Sequence, residues 1–324
     1  MISFRPVRRI ACVAAVLLPA PLLAQALDLT VHDVGLAIGD KPRVTGVRIN
    51  FRDRNLVEVH GINATVWTPY QPPTGVVNGI ALGLPLTGAR RIDGLAIGAL
   101  GVGAEESMRG IGIAPLGMGA GGDIAGIMIG GLGAGAGGSV RGLAIGGLGV
   151  GSGGATEGIM IGGLGVGSGG RARGMLIGGL GVGGGGSVTG LSVGGLGVGA
   201  GGDVTGIAIG GLGVGAGGTL RGVAIGGGGV GASRLRGVAV AGLGAGGEDV
   251  KGVVIAGAYV EVARDGRLRG GSLSAFNRIR GVQHGLTIGL VNYAAELHGG
   301  QFGLLNVSAN GGHRLVLPVF AYRR

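Results

Sequence analysis

GLAIGGLGVGSGGATE, Gly142 to Glu157, is one of ten closely similar units that run without interruption from Gly94 to Lys251. Units opening at Gly94, Gly110, Gly126, Gly142, Gly158, Gly174, Gly190 and Gly206 hold sixteen residues each, and those at Gly222 and Gly237 hold fifteen. No unit this short can bury a core alone, so a fixed period implies that units stack on one another. Numbered from the first glycine, apolar residues fall at positions 2 and 4 (Leu143, Ile145) and at 7 and 9 (Leu148, Val150). Alternation at two residues marks a strand, and a helix would lose about 1 kcal/mol for each glycine it held. Gly146-Gly147 and Gly153-Gly154 interrupt the alternation as turns do.

The fold expected is all-β: a Gly-rich β-solenoid with coils of about 16 residues. Degenerate units at Gly46, Gly61, Gly79, Gly252, Gly270, Gly285 and Gly299 bring the array to about seventeen coils, a rod on the order of 80 Å long at a strand spacing of about 4.8 Å. On this reading Leu148, Leu164, Leu180, Leu196 and Leu212 form a buried structural ladder, and the glycines outside the second strand, such as Gly149 and Gly151, relieve crowding in a narrow coil. The alternative is a transmembrane β-barrel with its Leu and Val facing lipid. Barrels use strands of about ten residues and aromatic girdles, whereas no Phe, Tyr or Trp occurs between Tyr70 and Tyr259.

Glycine is 85 of 324 residues, yet only ten prolines are present, which excludes collagen. With 46% hydrophobic and 13% charged residues the chain also lacks the polar bias of disordered tracts. At the N-terminus Arg5, Arg8 and Arg9 precede an apolar run from Ile10 to Leu23 and the small-x-small sequence Ala24-Gln25-Ala26. That order reads as a signal peptide over residues 1–26. The exported chain would then carry about +7 of the formal charge of +10 and no cysteine, because the single Cys12 lies in the signal. Residues 27–93 are read as an N-terminal cap with degenerate repeats, 94–251 as the regular array, and 252–324 as C-terminal degenerate repeats and cap.

Position 16 carries Arg109, Arg141, Arg173, Arg221, Arg236 and Lys251, interleaved with Ala125, Glu157, Thr189 and Thr205, a basic stripe along one edge of a stacked rod. Such a stripe suits an anionic polymer. Nucleic acid is disfavoured because the array has no aromatic residue on which bases could stack. Asp123 and Asp203 sit where calcium-binding nonapeptides place aspartate, but Ser139, Ser187 and Thr219 replace it elsewhere, so no metal site is expected. Glycine-rich phosphate loops need a following helix, and Lys41 and Lys251 are the only lysines. The 16 carboxylates show no paired spacing and no Ser/His/Asp set is discernible, so neither a catalytic residue nor a cofactor is expected.

Near the C-terminus GGSLSAFN, GLTIGLVN and GGQFGLLN align Asn277, Asn292 and Asn306 in one column that can hydrogen-bond along the rod, with His284 and His298 in another. The bulged unit Gly61 to Asn78, with Trp67, Pro69, Tyr70, Pro72 and Pro73, is expected to help cover a rod end. The units from Gly270 to Asn306 resemble poorly characterised exported bacterial surface-repeat proteins built from G-aliphatic-Q-I-G-L-aliphatic-N units. The central array departs from that pattern, with Gly where those units have Asn and Gln. The resemblance implies an exported, surface-associated protein of the periplasm, outer membrane or cell surface. The function expected is non-enzymatic, structural or adhesion-like, with an anionic envelope polymer or a second copy as partner and with peripheral membrane contact only. An outer-membrane barrel or pore-like protein is the other reading.

Overall fold

The computed structural model describes residues 27–67, 69–70 and 72–324, so the signal-peptide reading of residues 1–26 lies outside the described residues. Twenty-six strands form one continuous sheet that winds as a β-solenoid. Each regular coil contributes a longer strand, such as Val140–Gly146, and a shorter one, such as Gly149–Ser152. Both pair in parallel, without slip, with the same strands one coil away. The transmembrane barrel is thereby excluded: the neighbours of a strand are its parallel equivalents in adjacent coils, and among the described residues no antiparallel ring closes around a lumen.

The first glycine of the unit is the point on which the winding turns. From Gly35 to Gly299 eighteen coils place a glycine there with φ between +111° and +141°, one coil more than the repeat pattern suggests. In that backbone region an L side chain is strained, and stacking adds a second objection. A β-carbon on Gly158 would stand 2.0 Å from the carbonyl oxygen of Gly142 in the coil below.

The first strand turns its position-3 side inward and leaves the aliphatic groups at positions 2 and 4 outside. Val140, Thr156, Ala172 and Val188, at position 15, are buried and belong to the same strand as the residues that follow them. Burial along the strand puts positions 3 and 5 inward with position 15, and positions 16, 2 and 4 outward, while the leading glycine, exposed at Gly142 and half-buried at Gly158, stays out of the interior. Ala144, Met160, Leu176 and Ala208 at position 3 therefore form the core with Val150, Val166, Val182 and Val214 at position 9. Ile127, Ile159 and Ile207 at position 2 lie on the surface. Glycine also holds the inward position 5, at Gly146, Gly162 and Gly178, which keeps the interior narrow. Where position 3 is itself glycine, at Gly112, Met118 fills the space, and a β-carbon there would overlap its methyl group.

The leucine ladder requires correction. Leu148, Leu164, Leu180, Leu196 and Leu212 do stack, each amide donating to the leucine carbonyl one coil below at 2.6–2.7 Å, but their side chains are 50–65% exposed. Gly147 and Leu148 form the bend between the two strands, so the alternation read through them does not continue across it.

The two ends of the core turn polar. At the N-terminal end Arg48 takes position 3, fully buried, pairs with Asp53 and Asp40 and donates to Asn63 Oδ1 at 2.9 Å. A buried guanidinium is tolerable only when paired and hydrogen-bonded in this way. At the other end Asn277 donates to Asn292 and Asn292 to Asn306, both at 2.8 Å, and Asn306 donates to the Leu317 carbonyl at 3.2 Å. This buried amide ladder ties the last three coils to the strand that follows them.

Antiparallel strands cover both ends: Leu27–Val31 on Val34–Ile38, and Leu315–Arg323 on Val291–Ser308. The Gly61 coil is therefore not an end cover, as expected from its prolines, but the third coil of the stack, paired on both sides. Pro318 and Val319, the latter with φ +69°, break the outermost C-terminal edge, which disfavours edge-to-edge pairing.

The N-terminal hairpin is clasped by Lys41, whose Nζ lies 2.8 Å from Asp28 and 3.0 Å from Asp33. The hydrogen bond from Lys41 lowers the Asp28 carboxyl from 3.8 to about 2. A carboxyl held below its unfolded value stabilises the folded form above the unfolded pKa, and that contribution is lost as pH falls through the folded one. Amide protection of Leu27–Val31 is thus expected to hold at pH 5 and to fall by pH 2, ahead of the central coils, in hydrogen exchange read by NMR. Protection that declines equally in hairpin and core would count against the clasp.

Candidate anionic-polymer surface

Position 16 points outward in every coil, and the register fixes who stands beside whom. Reading along the rod, Asp93, Arg109, Ala125, Arg141, Glu157, Arg173, Thr189 and Thr205 follow one another in direct contact order. Arg109, Arg141 and Arg173 are thus interspersed with neutral or acidic neighbours, and Arg141 Nε lies 3.7 Å from Glu157. The stripe expected as one feature has two parts.

The second part is denser. Arg221, Arg236, Lys251 and Arg269 occupy four successive coils with nothing between them. All four are exposed, and among the described residues none of them forms an ion pair. At coil spacing the four charges lie within about 14 Å along the rod. Arg234 and Arg267 stand two residues before Arg236 and Arg269, with Asp249 between them in their own column. Arg269 extends the run one coil beyond the six residues that the spacing of the array marks. Its position directly before Gly270, as Lys251 stands before Gly252, is the signal that finds it.

Beyond Arg269 the column continues as His284 and His298, whose rings stack with centroids 4.9 Å apart. His298 Nε2 lies 3.6 Å from Glu296. Among the described residues no three His, Cys, Asp or Glu side chains gather as ligands for a metal.

The second strand presents a different face. Gly151, Gly167, Gly183, Gly199, Gly215 and Gly231 stack in one outward column, and a β-carbon on any of them would meet nothing within 4 Å. Crowding therefore does not explain this column, where the surface is bare backbone; it does apply to the other outward column, where a β-carbon on Gly149, Gly165 or Gly213 would stand 3.3 Å from the carbonyl oxygen of the next coil. Over the N-terminal part of this face Pro69 and Pro73 overhang Gly88, Gly101 and Gly103 and enclose a groove of about 370 Å³. Tyr70 in that loop lies under Arg52 and Arg54, at 3.7 and 4.6 Å from ring centre to guanidinium carbon. Its ring is engaged within the chain.

No protein-family model, no curated protein and no solved structure matches this chain.

Proposed function

We propose that this protein is an exported, non-enzymatic rod of the bacterial envelope that holds an anionic polymer along its position-16 edge. The observation that carries the reading is the run Arg221, Arg236, Lys251 and Arg269: four like charges held one coil apart by an in-register sheet. Like charges at that spacing repel one another, and a polyanion laid along the column relieves the repulsion at every coil. The strand faces on either side offer aliphatic groups and bare glycine backbone, which suit contact rather than chemistry. The N-terminal sequence and the resemblance of the C-terminal units to bacterial surface-repeat proteins support the location.

Individual exposed pairs are weak, so affinity has to come from several at once and has to fall with salt. Replacing Arg221, Arg236, Lys251 and Arg269 by Ser is expected to lower retention on immobilised polyphosphate and on isolated envelopes at least about tenfold at low ionic strength. Replacing Arg109, Arg141 and Arg173 is expected to do much less, because neutral and acidic neighbours dilute their field. Equal retention by the parent and the first variant at low and at physiological salt would leave the run without a polymer to bind.

A further inference from the structure

We infer that the aliphatic face of the rod docks a second copy of this chain, set antiparallel about a twofold axis. The columns at positions 2, 4 and 7 leave Ile127, Ile129, Ile159 and Ile207 in the open beside an uninterrupted ridge of eight leucines, from Leu100 to Leu212. A monomeric protein rarely exposes an apolar patch beyond about 300–600 Å². Here eight coils of about 4.8 Å and five residue steps of about 3.3 Å give roughly 600 Å² per copy, or about 1,200 Å² for a pair, before the flanking coils add more. That reaches the range of stable interfaces. The surface is ridged at coil spacing by the strict parallel register, and a second copy carries the same spacing.

Charge chooses the arrangement. A twofold axis lying in the face and across the rod reverses the order of coils and lays position 16 of one copy over position 16 of the other. The leucine ridge has its midpoint between Leu148 and Leu164. With the axis there, Arg141 faces the partner's Glu157, and Glu157 faces the partner's Arg141. Arg173 meets the partner's Ala125, Arg221 the partner's Asn78, and Lys251 the partner's Thr45, so pairing covers the basic column and excludes the polymer proposed for it. No Arg or Lys meets another. A slip of one coil either way sets Arg141 against the partner's Arg173 or against its own counterpart, so the register that centres the leucines is also the one the charges accept. Aliphatic centre and polar margin are the anatomy of a protein interface.

The test uses the full chain and light scattering across a concentration series. The parent is expected to be dimeric. Ile159→Asp is expected to be monomeric, with its circular dichroism and protease resistance unchanged. Arg141→Glu alone and Glu157→Arg alone are each expected to weaken the dimer at least about tenfold, because each sets like charges against each other. An equimolar mixture of these two variants is expected to recover a heterodimer, detected by mass after tagging one of them. The Arg141–Glu157 pair within one chain cannot produce that recovery, so the mixing result reports pairing between copies. A mixture no tighter than either variant alone overturns the inference. So does a monomeric parent, including one that instead floats with phosphatidylcholine vesicles through the same face.

Discussion

Gly158→Val is expected to unwind the middle of the rod, whereas Gly167→Val, nine residues later, is expected to leave it intact. Gly158 has φ +122°, and a β-carbon there would stand 2.0 Å from the Gly142 oxygen and 2.9 Å from the Gly142 carbonyl carbon. Both atoms are backbone held by the sheet, so neither can move without breaking the pairing of Val140–Gly146 with Thr156–Gly162. Strain at a positive φ combined with a backbone clash carries an expected destabilisation of about 3–5 kcal/mol. Gly167 has no positive φ and open space where its β-carbon would go. A β-branched residue there suits a strand better than glycine, and the expected change lies between neutral and about 1 kcal/mol of stabilisation. Because an array of coils does not unfold in one step, limited proteolysis and local hydrogen exchange are the measurements to use. Equal resistance of the two variants would show that the first glycine of the unit is not the hinge of the coil.

Leu176→Asp opens the stack while Leu180→Asp does not. The two leucines are four residues apart in one coil, yet Leu176 is 0% exposed and Leu180 is 50% exposed. Aspartate at 176 places a carboxylate between Met160 and Ser192 in the core column, where the Ser192 hydroxyl offers a single donor against a full buried charge, and such burial costs several kcal/mol. Neighbouring coils lose part of their support with it, so protease sites should open on both sides of residue 176. At 180 the carboxylate stands in water, and fold and protease resistance are expected to match the parent. A protease-sensitive Leu180→Asp with a resistant Leu176→Asp would reverse the assignment of inside and outside.

The second pair of variants marks where hydropathy misleads. In this coil the larger aliphatic groups at positions 2, 4 and 7 are outside, and the smaller residues, often Ala, Gly and Val, are inside. Hydropathy ranks residues by aversion to water, but a coil a few ångströms across admits only what its volume allows. The residue that sets the inward side is position 15. Val140, Thr156, Ala172, Val188 and Val204 begin the first strand two residues before its glycine, and counting from them sets the inward parity correctly.

The basic column was legible because it rests on spacing alone. Arg221, Arg236 and Lys251 precede a glycine each time, and stacking of like on like follows from the period. Its division into a diluted half and a concentrated half was legible too, since Ala125, Glu157, Thr189 and Thr205 interrupt only the first, whereas the extension to Arg269 rests on the register. Arg48 was not legible, since nothing local distinguishes a solvated arginine from one enclosed by Asp40, Asp53 and Asn63.

What the sequence determined by itself is the period, and with it the all-β stack, the turn at each leading glycine and the columns of equivalent residues. A repeat of fixed length leaves each residue no neighbour along the rod but its own counterpart. What only the tertiary structure decided is which way each column faces and how the rod ends. The face depends on where a strand begins and on the volume enclosed by the coil. The ends depend on antiparallel strands, Leu27–Val31 and Leu315–Arg323, that carry no trace of the repeat and are placed by the open hydrogen bonds of the first and last coils.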